Sequence, residues 1–427
     1  MFFFLKQLIR TNFAKNVFAV AGGAVLAQFV ALLFSPLLTR FFGPEAIGIL
    51  SLFVALTTVF GQIATLTYHN AIPLARSDSE IVSLEKLSFG ATVTVFLATS
   101  FLMMSIYFIC DKTSGEVSFL RTYWLLPVAF LFIGWSNSIS QVLISKGRFS
   151  GISKIGVIHS TINGVLSLIA GAIWSTSISL LIANATSHFL RWLMLSIIRR
   201  GLTTVTVHTK STPLSVAIKH KDFVLFRAPQ EIISAASMSL PLIIFGGQYG
   251  AVVVGLYGLA MRVLSVPSLI IGQSLGTVFY PRICQSVERG ENVQKLIMKM
   301  TAVLALGGAV PYGIVIAFGP DIFEFVFGAQ WRDCGGYAQW LALWNWCGLM
   351  SIGVAKSMPV CKLQKEFLIY EIVYLAIRVS SLGGGYAMGY GPLHSVMLFS
   401  LAGCTMNLLL ITYVILKSGS LDENCSA

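Results

Sequence analysis

Charge is scarce in this sequence, and most of what there is has one sign. Only 11% of the 427 residues are Asp, Glu, Lys or Arg, whereas 56% are hydrophobic. A water-soluble chain of this length could not cover its surface with so few charged side chains. The composition therefore excludes a soluble protein and predicts one that lies in lipid.

The motifs of several enzyme and metal-binding classes are missing as well. The seven cysteines are scattered without a CxxC or Cys/His spacing, so neither a disulfide framework nor a zinc site is indicated. There is no P-loop, HExxH, nucleophile elbow or dinucleotide fingerprint. We therefore predict no enzyme activity and no bound cofactor. The lack of a P-loop also argues against ATP as the direct energy source.

What the sequence does contain is a series of long apolar runs. Most have about 20 residues or more, which is the length an α-helix needs to cross the hydrocarbon core. They predict an all-α integral membrane protein with about twelve transmembrane helices. The predicted spans are 16–38, 46–74, 87–110, 122–145, 153–174, 177–199, 223–246, 250–280, 296–318, 337–360, 365–387 and 392–416.

The basic residues between the spans predict the orientation. All but four of those outside the spans lie in segments on the same side as the N-terminus; the four are Arg40, Lys112, Arg121 and Arg332. Because Lys and Arg are enriched in cytoplasmic loops, we expect a multi-pass protein with both termini in the cytoplasm. A nucleic-acid-binding protein would instead cluster its basic residues on a soluble face, so no nucleic-acid partner is expected.

The longest polar connection, at 199–222, indicates two halves. We predict a six-helix bundle over 1–200, a cytoplasmic linker over 201–222 and a second six-helix bundle over 223–427. A faint repeat supports this division, because Pro36 is followed by Gly48 in the first half as Pro241 is followed by Gly255 in the second. Halves with an even number of spans share their orientation, as in parallel-repeat transporters.

Three arginines lie deep inside apolar spans, and they are the most informative residues of the chain. Arg262 and Arg378 fall about a dozen residues into their spans, and Arg191 about eight residues from the inner end of its span. A mid-membrane charge costs about 2.5–3.5 kcal/mol on insertion scales. Such residues face a partner charge, other protein or a water-filled cavity. They predict a pathway for an anion, with buried structural ion pairs or inter-helix hydrogen bonds as the alternative.

Further ionisable residues accompany these arginines. Arg227 and Lys356 lie near inner helix ends, where their side chains can reach the headgroups or recruit a substrate. Glu231 follows Arg227 by four residues and can pair with it on one helix face, whereas Glu371 precedes Arg378 by seven. Both acids are candidates for ion coupling.

Polar stripes add two histidines to the candidates. One runs through Thr58, Gln62, Thr65 and His69, and another through Asn184, His188 and Arg191. Such stripes either join helices by hydrogen bonds or line a hydrophilic lumen. His69 and His188 are candidates for carrying a coupling proton, with hydrogen-bonding struts as the alternative.

Two segments resemble a known family. The first begins at Asn16 and includes Gln28, the run 36–44 and Gly48; the second covers 255–262, Pro267 and 279–282. Both are similar to polysaccharide-unit flippases of the multidrug/oligosaccharidyl-lipid/polysaccharide (MOP) exporter superfamily. Within that group the chain resembles O-antigen flippases of the Wzx type, and the resemblance extends over essentially the whole chain.

The resemblance implies a MATE-like fold, in which two six-helix bundles related by a pseudo-two-fold axis surround a central cavity. It implies a bacterial inner-membrane flippase that moves an undecaprenyl-pyrophosphate-linked oligosaccharide to the periplasmic leaflet by alternating access. It allows coupling to H⁺ or Na⁺. It also makes the polymerase and chain-length proteins of the same pathway candidate partners.

A pyrophosphate suits arginine, whose planar fork binds phosphate oxygens in pairs. We therefore expect Arg191, Arg262 and Arg378 to bind the headgroup, and Arg227 and Lys356 to recruit it at the inner leaflet. Arg40 lies at the outer end of the first span, where it either contacts substrate before release or anchors the helix.

Two alternative functions follow from the same residues. A multidrug exporter of this superfamily would carry cations and would favour a negatively charged lumen, whereas the deepest charges here are positive. An integral-membrane enzyme acting on lipid-linked sugars would need acid/base residues in a sizeable outer loop. The acids at Asp321, Glu324 and Asp333 do not have a spacing that fits such a pair.

Overall fold

A computed structural model of the chain describes residues 12–75, 77–113, 122–201, 213–289, 291–361 and 363–426, and these residues contain helices and no strands. Among the described residues, twelve α-helices are long and two are short. The long ones are α1 (Asn12–Phe41), α2 (Pro44–Ala64), α4 (Asp78–Thr113), α5 (Leu126–Ser145), α6 (Phe149–Ile173), α7 (Ser177–Arg200), α9 (Ala228–Tyr249), α10 (Ala251–Glu288), α11 (Val293–Phe327), α12 (Arg332–Ser357), α13 (Gln364–Ala387) and α14 (Pro392–Ser426). The short ones are α3 (Tyr68–Ala71) and α8 (Pro213–Lys219). The predicted all-α membrane architecture is confirmed.

Within the described residues, 11 helices are long and apolar enough to cross a membrane. The remaining long helix is α12, which carries Trp344, Asn345 and Trp346 in its middle. It packs against α10, α11 and α14, so its polar groups find partners in protein rather than facing lipid. For this reason hydropathy alone undercounts the spans, and the prediction of about twelve fits.

The chain divides into two compact units. Unit 1 contains residues 1–42 and 49–240, and unit 2 contains 43–48 and 241–427. The start of α2 thus belongs to unit 2, and the first part of α9 belongs to unit 1. The bundles predicted at 1–200 and 223–427 remain a prediction, and most of the predicted linker, at 202–212, lies outside the described residues.

In unit 1 the helices pack as close neighbours. Helix α1 packs against α6, α6 against α7, and α5 against both α4 and α7. The contact of α1 with α6 depends on Gly164, because a Cβ at this position would lie 2.4 Å from the ring of Phe34. The packing of α6 against α7 places two polar helix faces beside each other.

In unit 2 the first turns of α2 and α10 cross with their backbones in contact. A Cβ on Gly48 would lie 1.7 Å from the carbonyl oxygen of Ala251, and a Cβ on Gly255 would lie 1.9 Å from that of Pro44. Gly48 therefore packs on the carbonyl of Ala251, four residues before Gly255, and Gly255 packs on the carbonyl of Pro44, four residues before Gly48. The two glycines aligned by the sequence repeat form a local two-fold crossing, which no larger side chain fits.

The predicted span 46–74 is wrong at its C-terminal end. Helix α2 ends at Ala64, and Leu66 and Thr67 adopt left-handed backbone conformations with φ of 47° and 58°. The hydroxyl of Thr67 donates to the carbonyl of Phe223, at 2.7 Å. This break places His69 on α3, so the predicted polar stripe from Thr58 to His69 is not continuous. The reason is a contact with a residue distant in sequence, which periodicity does not register.

Candidate functional site: arginines without carboxylate partners

Six lysines and arginines near helix ends form ion pairs with carboxylates in the described part of the chain. Arg199 in the last turn of α7 lies 2.9 Å from Glu85 of α4. Each of the other pairs likewise joins a lysine or arginine to one or two carboxylates. They are Lys146 with Asp78 (2.5 Å), Lys219 with Glu80 (2.5 Å), Arg227 with Glu231 (2.7 Å), Arg282 with Glu291 (2.6 Å) and Arg332 with Asp321 (3.1 Å) and Glu324. Acids thus neutralise these basic residues near the ends of the spans.

The three arginines predicted to lie deep in the membrane are different. Arg191 of α7, Arg262 of α10 and Arg378 of α13 form no ion pair within the parts of the chain that the structure describes. The Nε atoms of Arg191 and Arg378 are buried without a hydrogen-bond acceptor. The described residues therefore do not contain the buried structural ion pairs that were one alternative for these three arginines.

Arg191 lies beside two histidines at the contact of α6 with α7. The ring centroids of His159 and His188 are 5.1 Å apart. The Oγ of Ser187 is 3.2 Å from Nε2 of His159, and the Nδ2 of Asn184 donates to Asn163 at 3.3 Å. The Nδ1 of His188 and the Oδ1 of Asn184 are buried without a partner. This cluster of unit 1, which we call the histidine cluster, presents unused polar atoms beside an uncompensated cation.

Arg378 lies among aromatic rings instead. Its guanidinium carbon is 5.4 Å from the ring centroid of Phe399, 5.5 Å from that of Tyr374 and 5.6 Å from that of Trp344. Cation–π contacts of this kind contribute about 0.5–2 kcal/mol each. They stabilise the cation without neutralising it.

Hydrogen bonds hold this aromatic cage in place. The indole Nε1 of Trp344 donates to the hydroxyl of Tyr374 at 2.7 Å, and the Nδ2 of Asn407 lies 3.5 Å from the same hydroxyl. Asn407 accepts in turn from the hydroxyl of Ser351, at 3.0 Å. Asn407 and Ser351 are buried. We call Arg378 and these five surrounding residues the aromatic cage of unit 2.

Arg262 is half-buried on α10 and belongs to the same unit as Arg378. Met261, the preceding residue, accepts from the Nδ2 of Asn345 through its sulfur at 3.6 Å. Tyr257 precedes Arg262 by five residues, and its ring centroid lies 6.5 Å from that of Phe399 in the aromatic cage. This stretch of α10 therefore runs beside the helices that build the cage.

The other predicted substrate contacts are exposed. Arg40 lies in the last turn of α1 and Lys356 in the last turn of α12. Arg227 lies in a π-helical turn directly before α9, and its predicted pairing with Glu231 is confirmed. These positions agree with an interfacial location for all three cations.

The remaining ion-coupling candidates have contrasting environments. Glu371 is exposed on α13 and forms no ion pair with the described residues. His69 is buried, and its Nδ1 lies 2.5 Å from the hydroxyl of Thr65. Burial lowers the pKa of His69 to about 4, so this side chain is neutral near physiological pH. His188 lies in the histidine cluster described above.

The cluster residues that the sequence prediction missed include His159, Trp344, Tyr374, Phe399 and Asn407. Tyr374 precedes Arg378 by four residues, a spacing that places both on one helix face and was available as a signal. The others come from different helices, and no local spacing connects them with their arginines. The described residues contain no group of three or more His, Cys, Asp or Glu side chains suited to a metal ion.

The fold is shared with transporters of the MOP superfamily. It matches an inward-facing multidrug-resistance transporter of the MATE family at a TM-score of 0.69 and 13% identity, over 96% of this chain and 96% of that chain. It matches the lipid II flippase MurJ in an inward closed conformation at 0.69 and 14%, over 93% and 86% of the two chains. A MOP-superfamily transporter from Pyrococcus furiosus, described as having a binding pocket of reverse polarity, gives 0.59 and 14% over 97% and 98%. At these identities the likeness establishes the fold, which is that of a multi-pass membrane protein.

The sequence itself identifies the family. The model of a family described as polysaccharide biosynthesis proteins matches residues 37–335. The chain therefore belongs to this polysaccharide biosynthesis protein family, which confirms the resemblance found in the sequence. No curated protein matches the sequence.

Proposed function

We propose that the protein is a flippase for a polyprenyl-pyrophosphate-linked oligosaccharide, such as an O-antigen or a related repeat unit. It moves this lipid from the cytoplasmic to the periplasmic leaflet of a bacterial inner membrane by alternating access, with both of its own termini in the cytoplasm. The observation that carries the proposal is the absence of carboxylate partners for Arg191, Arg262 and Arg378 among the described residues.

The energetic argument rests on the cost of such charges. An arginine kept only for structure is expected to carry a carboxylate, because an unpaired buried charge is strongly destabilising. Six lysines and arginines near helix ends carry such a carboxylate, whereas Arg40, Arg200 and Lys356, which form no ion pair with the described residues, are exposed. For deep arginines without a carboxylate, a bound anionic ligand can offset the free energy of burying the charge. A pyrophosphate matches the guanidinium geometry through paired, charge-assisted hydrogen bonds.

The aromatic cage supports the carbohydrate part of the proposed substrate. Trp344 and Tyr374 supply apolar ring faces, and Asn407 and Ser351 supply hydrogen-bonding groups next to them. Sites for small polar ligands combine an apolar lining with a few fixed polar groups in this way. Lys356 and Arg227 recruit the headgroup at the inner leaflet, and Arg40 contacts it near release.

A reconstitution experiment tests the proposal. Proteoliposomes containing wild-type protein, Arg191→Ala, Arg262→Ala or Arg378→Ala are assayed for flipping of a fluorescent short-chain prenyl-pyrophosphate oligosaccharide, with and without imposed H⁺ or Na⁺ gradients. Loss of a charge-assisted hydrogen bond costs about 1.5–3 kcal/mol, so we expect a fall of about 10–100-fold for each variant. Lys146→Ala, which removes a paired cation, is the matched control and retains flipping.

The competing function is tested in the same vesicles. Wild-type flipping by both Arg262→Ala and Arg378→Ala, at equal protein amount and equal melting temperature, removes the pyrophosphate role from these residues. Robust export of cationic dyes by the wild type, without flipping of the lipid, would assign the chain to multidrug transport instead.

A further inference from the structure

The histidine cluster places two titratable rings against a permanent cation. His188 and Arg191 are three residues apart on α7 and therefore lie on one face of that helix. His159 reaches the same point from α6, with its ring centroid 5.1 Å from that of His188. Three groups that are positive when protonated thus meet at one helix contact.

The hydrogen bonds determine which nitrogen of His159 carries the proton when the ring is neutral. The hydroxyl of Ser187 donates its one proton to the backbone carbonyl of Asn184, at 2.7 Å. When that bond is made, the hydroxyl accepts at the 3.2 Å contact with Nε2 of His159, and this nitrogen is the donor in that tautomer. The Nδ1 of His159 is left as the site for a second proton. The buried, unpartnered Nδ1 of His188 leaves that ring an unused polar atom too.

Helices α1, α5, α6 and α7 around the cluster provide no negative charge, and Glu85 of α4, which reaches α7, is paired with Arg199. Helix α5 has no titratable side chain between Leu126 and Ser145, and α6 has only the exposed Lys154 besides His159. On α7 the exposed Arg200 and the paired Arg199 lie at the far end, beyond Arg191. The described side chains of α1, residues 22–41, contribute only the exposed Arg40. A carboxylate that could balance a proton on either ring is therefore absent from the described parts of these helices.

We propose that His159, His188 and Arg191 form a proton-linked anion site, at which a phosphate-class anion binds together with a proton taken from water onto the histidine pair. The inference rests on the proposed function, because it assumes that Arg191 contacts the headgroup. Without an anion, a proton on either ring is repelled by the guanidinium at short range. With an anion bound, the same proton is attracted, so proton uptake and anion binding stabilise each other by linkage.

The sign of this linkage has a mechanistic consequence. An exporter that uses inward proton flow must release a proton when it binds its substrate on the cytoplasmic side. The histidine cluster does the opposite, because its proton accompanies the anion. Its role is to reduce the net charge of the bound headgroup, and any driving ion is bound elsewhere.

Calorimetry on the purified full chain tests the linkage directly. The probe is dimethyl pyrophosphate with one methyl ester on each phosphate, which has no proton to exchange near neutral pH. Binding enthalpies in two buffers of different ionisation enthalpy give the number of protons taken up. We expect uptake in the wild type, and with one linked proton the Kd falls by up to about tenfold for each pH unit of acidification.

Variants separate this inference from the proposed function. The double variant His159→Asn, His188→Asn is expected to bind the probe without proton uptake, whereas the control His394→Asn, on an exposed histidine, leaves uptake unchanged. Binding by the wild type without uptake, or with proton release, overturns the linkage and leaves the flippase proposal intact. If neither this probe nor a short-chain prenyl pyrophosphate sugar binds, the proposed function fails with it. Tighter binding of the prenyl probe, with the same uptake, identifies the lipid headgroup rather than a free phosphate as the ligand.

Discussion

Each unit of the molecule contains a deep arginine that forms no ion pair with the described residues, and Arg191 of unit 1 and Arg378 of unit 2 are surrounded by different chemistry. In unit 1 Arg191 lies beside the imidazoles of His159 and His188, whose ring centroids are 5.1 Å apart. In unit 2 Arg378 lies among the rings of Trp344, Tyr374 and Phe399, which hold it by cation–π contacts. In the proton-linked anion site that we propose for the first cluster, the charge depends on pH and on what is bound, whereas the second cluster contains no histidine or carboxylate side chain.

This difference shows two ways of keeping a cation in a membrane protein without a carboxylate. Aromatic faces stabilise a guanidinium at about 0.5–2 kcal/mol per ring and keep its hydrogen-bond donors available. Histidines provide no such stabilisation, but they permit the local charge to rise when an anion arrives. The following predictions test whether the two clusters differ as described.

The largest difference is expected when arginine is replaced by lysine. Arg378→Lys keeps the charge within the cage but loses the planar fork, so flipping should fall by about 10–100-fold, the equivalent of 1.5–3 kcal/mol. Arg191→Lys should cause a smaller loss, since the neighbouring histidines supply additional donors. Rates are measured in proteoliposomes at equal protein content. Equal losses at both positions would contradict the distinction between the clusters.

A smaller effect is expected from the hydrogen bond that orients the cage. Tyr374→Phe leaves the indole N–H of Trp344 without its acceptor at 2.7 Å, which costs about 1–3 kcal/mol for a buried donor. We expect about a tenfold weaker Kd for the prenyl pyrophosphate sugar and a lower melting temperature. The matched control is Tyr370→Phe on the same helix, because the hydroxyl of Tyr370 is buried without a partner. A Kd that changes equally in both variants would argue against the orienting role.

A third histidine of unit 1 tests whether burial alone produces pH dependence. The pKa of His69 is lowered by burial from 6.5 to about 4, so the folded state resists a proton that the unfolded state accepts. Stability should therefore fall as the pH drops from about 6.5 towards about 4. His69→Gln should reduce this slope, measured as melting temperature against pH, while flipping at neutral pH stays at the wild-type level. Loss of flipping in this variant would restore His69 as a candidate for proton coupling.

The smallest effect is expected at the ion pair of Arg282 with Glu291. The hydrogen bonds from Arg282 and Ser286 lower the pKa of Glu291, which lies outside the membrane spans. A lowered pKa means that the pair stabilises the folded state above the ordinary glutamate pKa of 4.5, and that this contribution is lost as the pH falls further. Glu291→Gln should lower the melting temperature slightly at neutral pH and make no difference in strong acid. Solvent screening keeps the change small.

Much of the fold was predictable because the membrane imposes a simple rule on length and polarity. The spans predicted at 122–145, 153–174 and 177–199 agree within a few residues with α5, α6 and α7. The break after Ala64 was not predictable, since it depends on a bond between Thr67 and the distant Phe223. Hydropathy also does not indicate that three neighbouring helices shield α12 from lipid.

The candidate site was predictable in its charges and not in its surroundings. A cation in an apolar run is conspicuous in sequence, so Arg191, Arg262 and Arg378 could be named. Whether such a residue has a partner depends on which helices pack together, and this is information about tertiary structure. The pair Arg227 and Glu231 was predicted because its geometry lies within a single stretch of helix.

The aromatic cage has a consequence for how the chain enters the bilayer. Phe399 belongs to α14, which is synthesised after the helix that carries Arg378, whereas His159 belongs to α6 and is made before Arg191. During translation, α7 can therefore meet its neighbour on entering the lipid, but α13 remains without its full set of rings until the last helix emerges. With a penalty of about 2.5–3.5 kcal/mol for a lone arginine at the bilayer centre, the final helical hairpin is expected to insert as a pair.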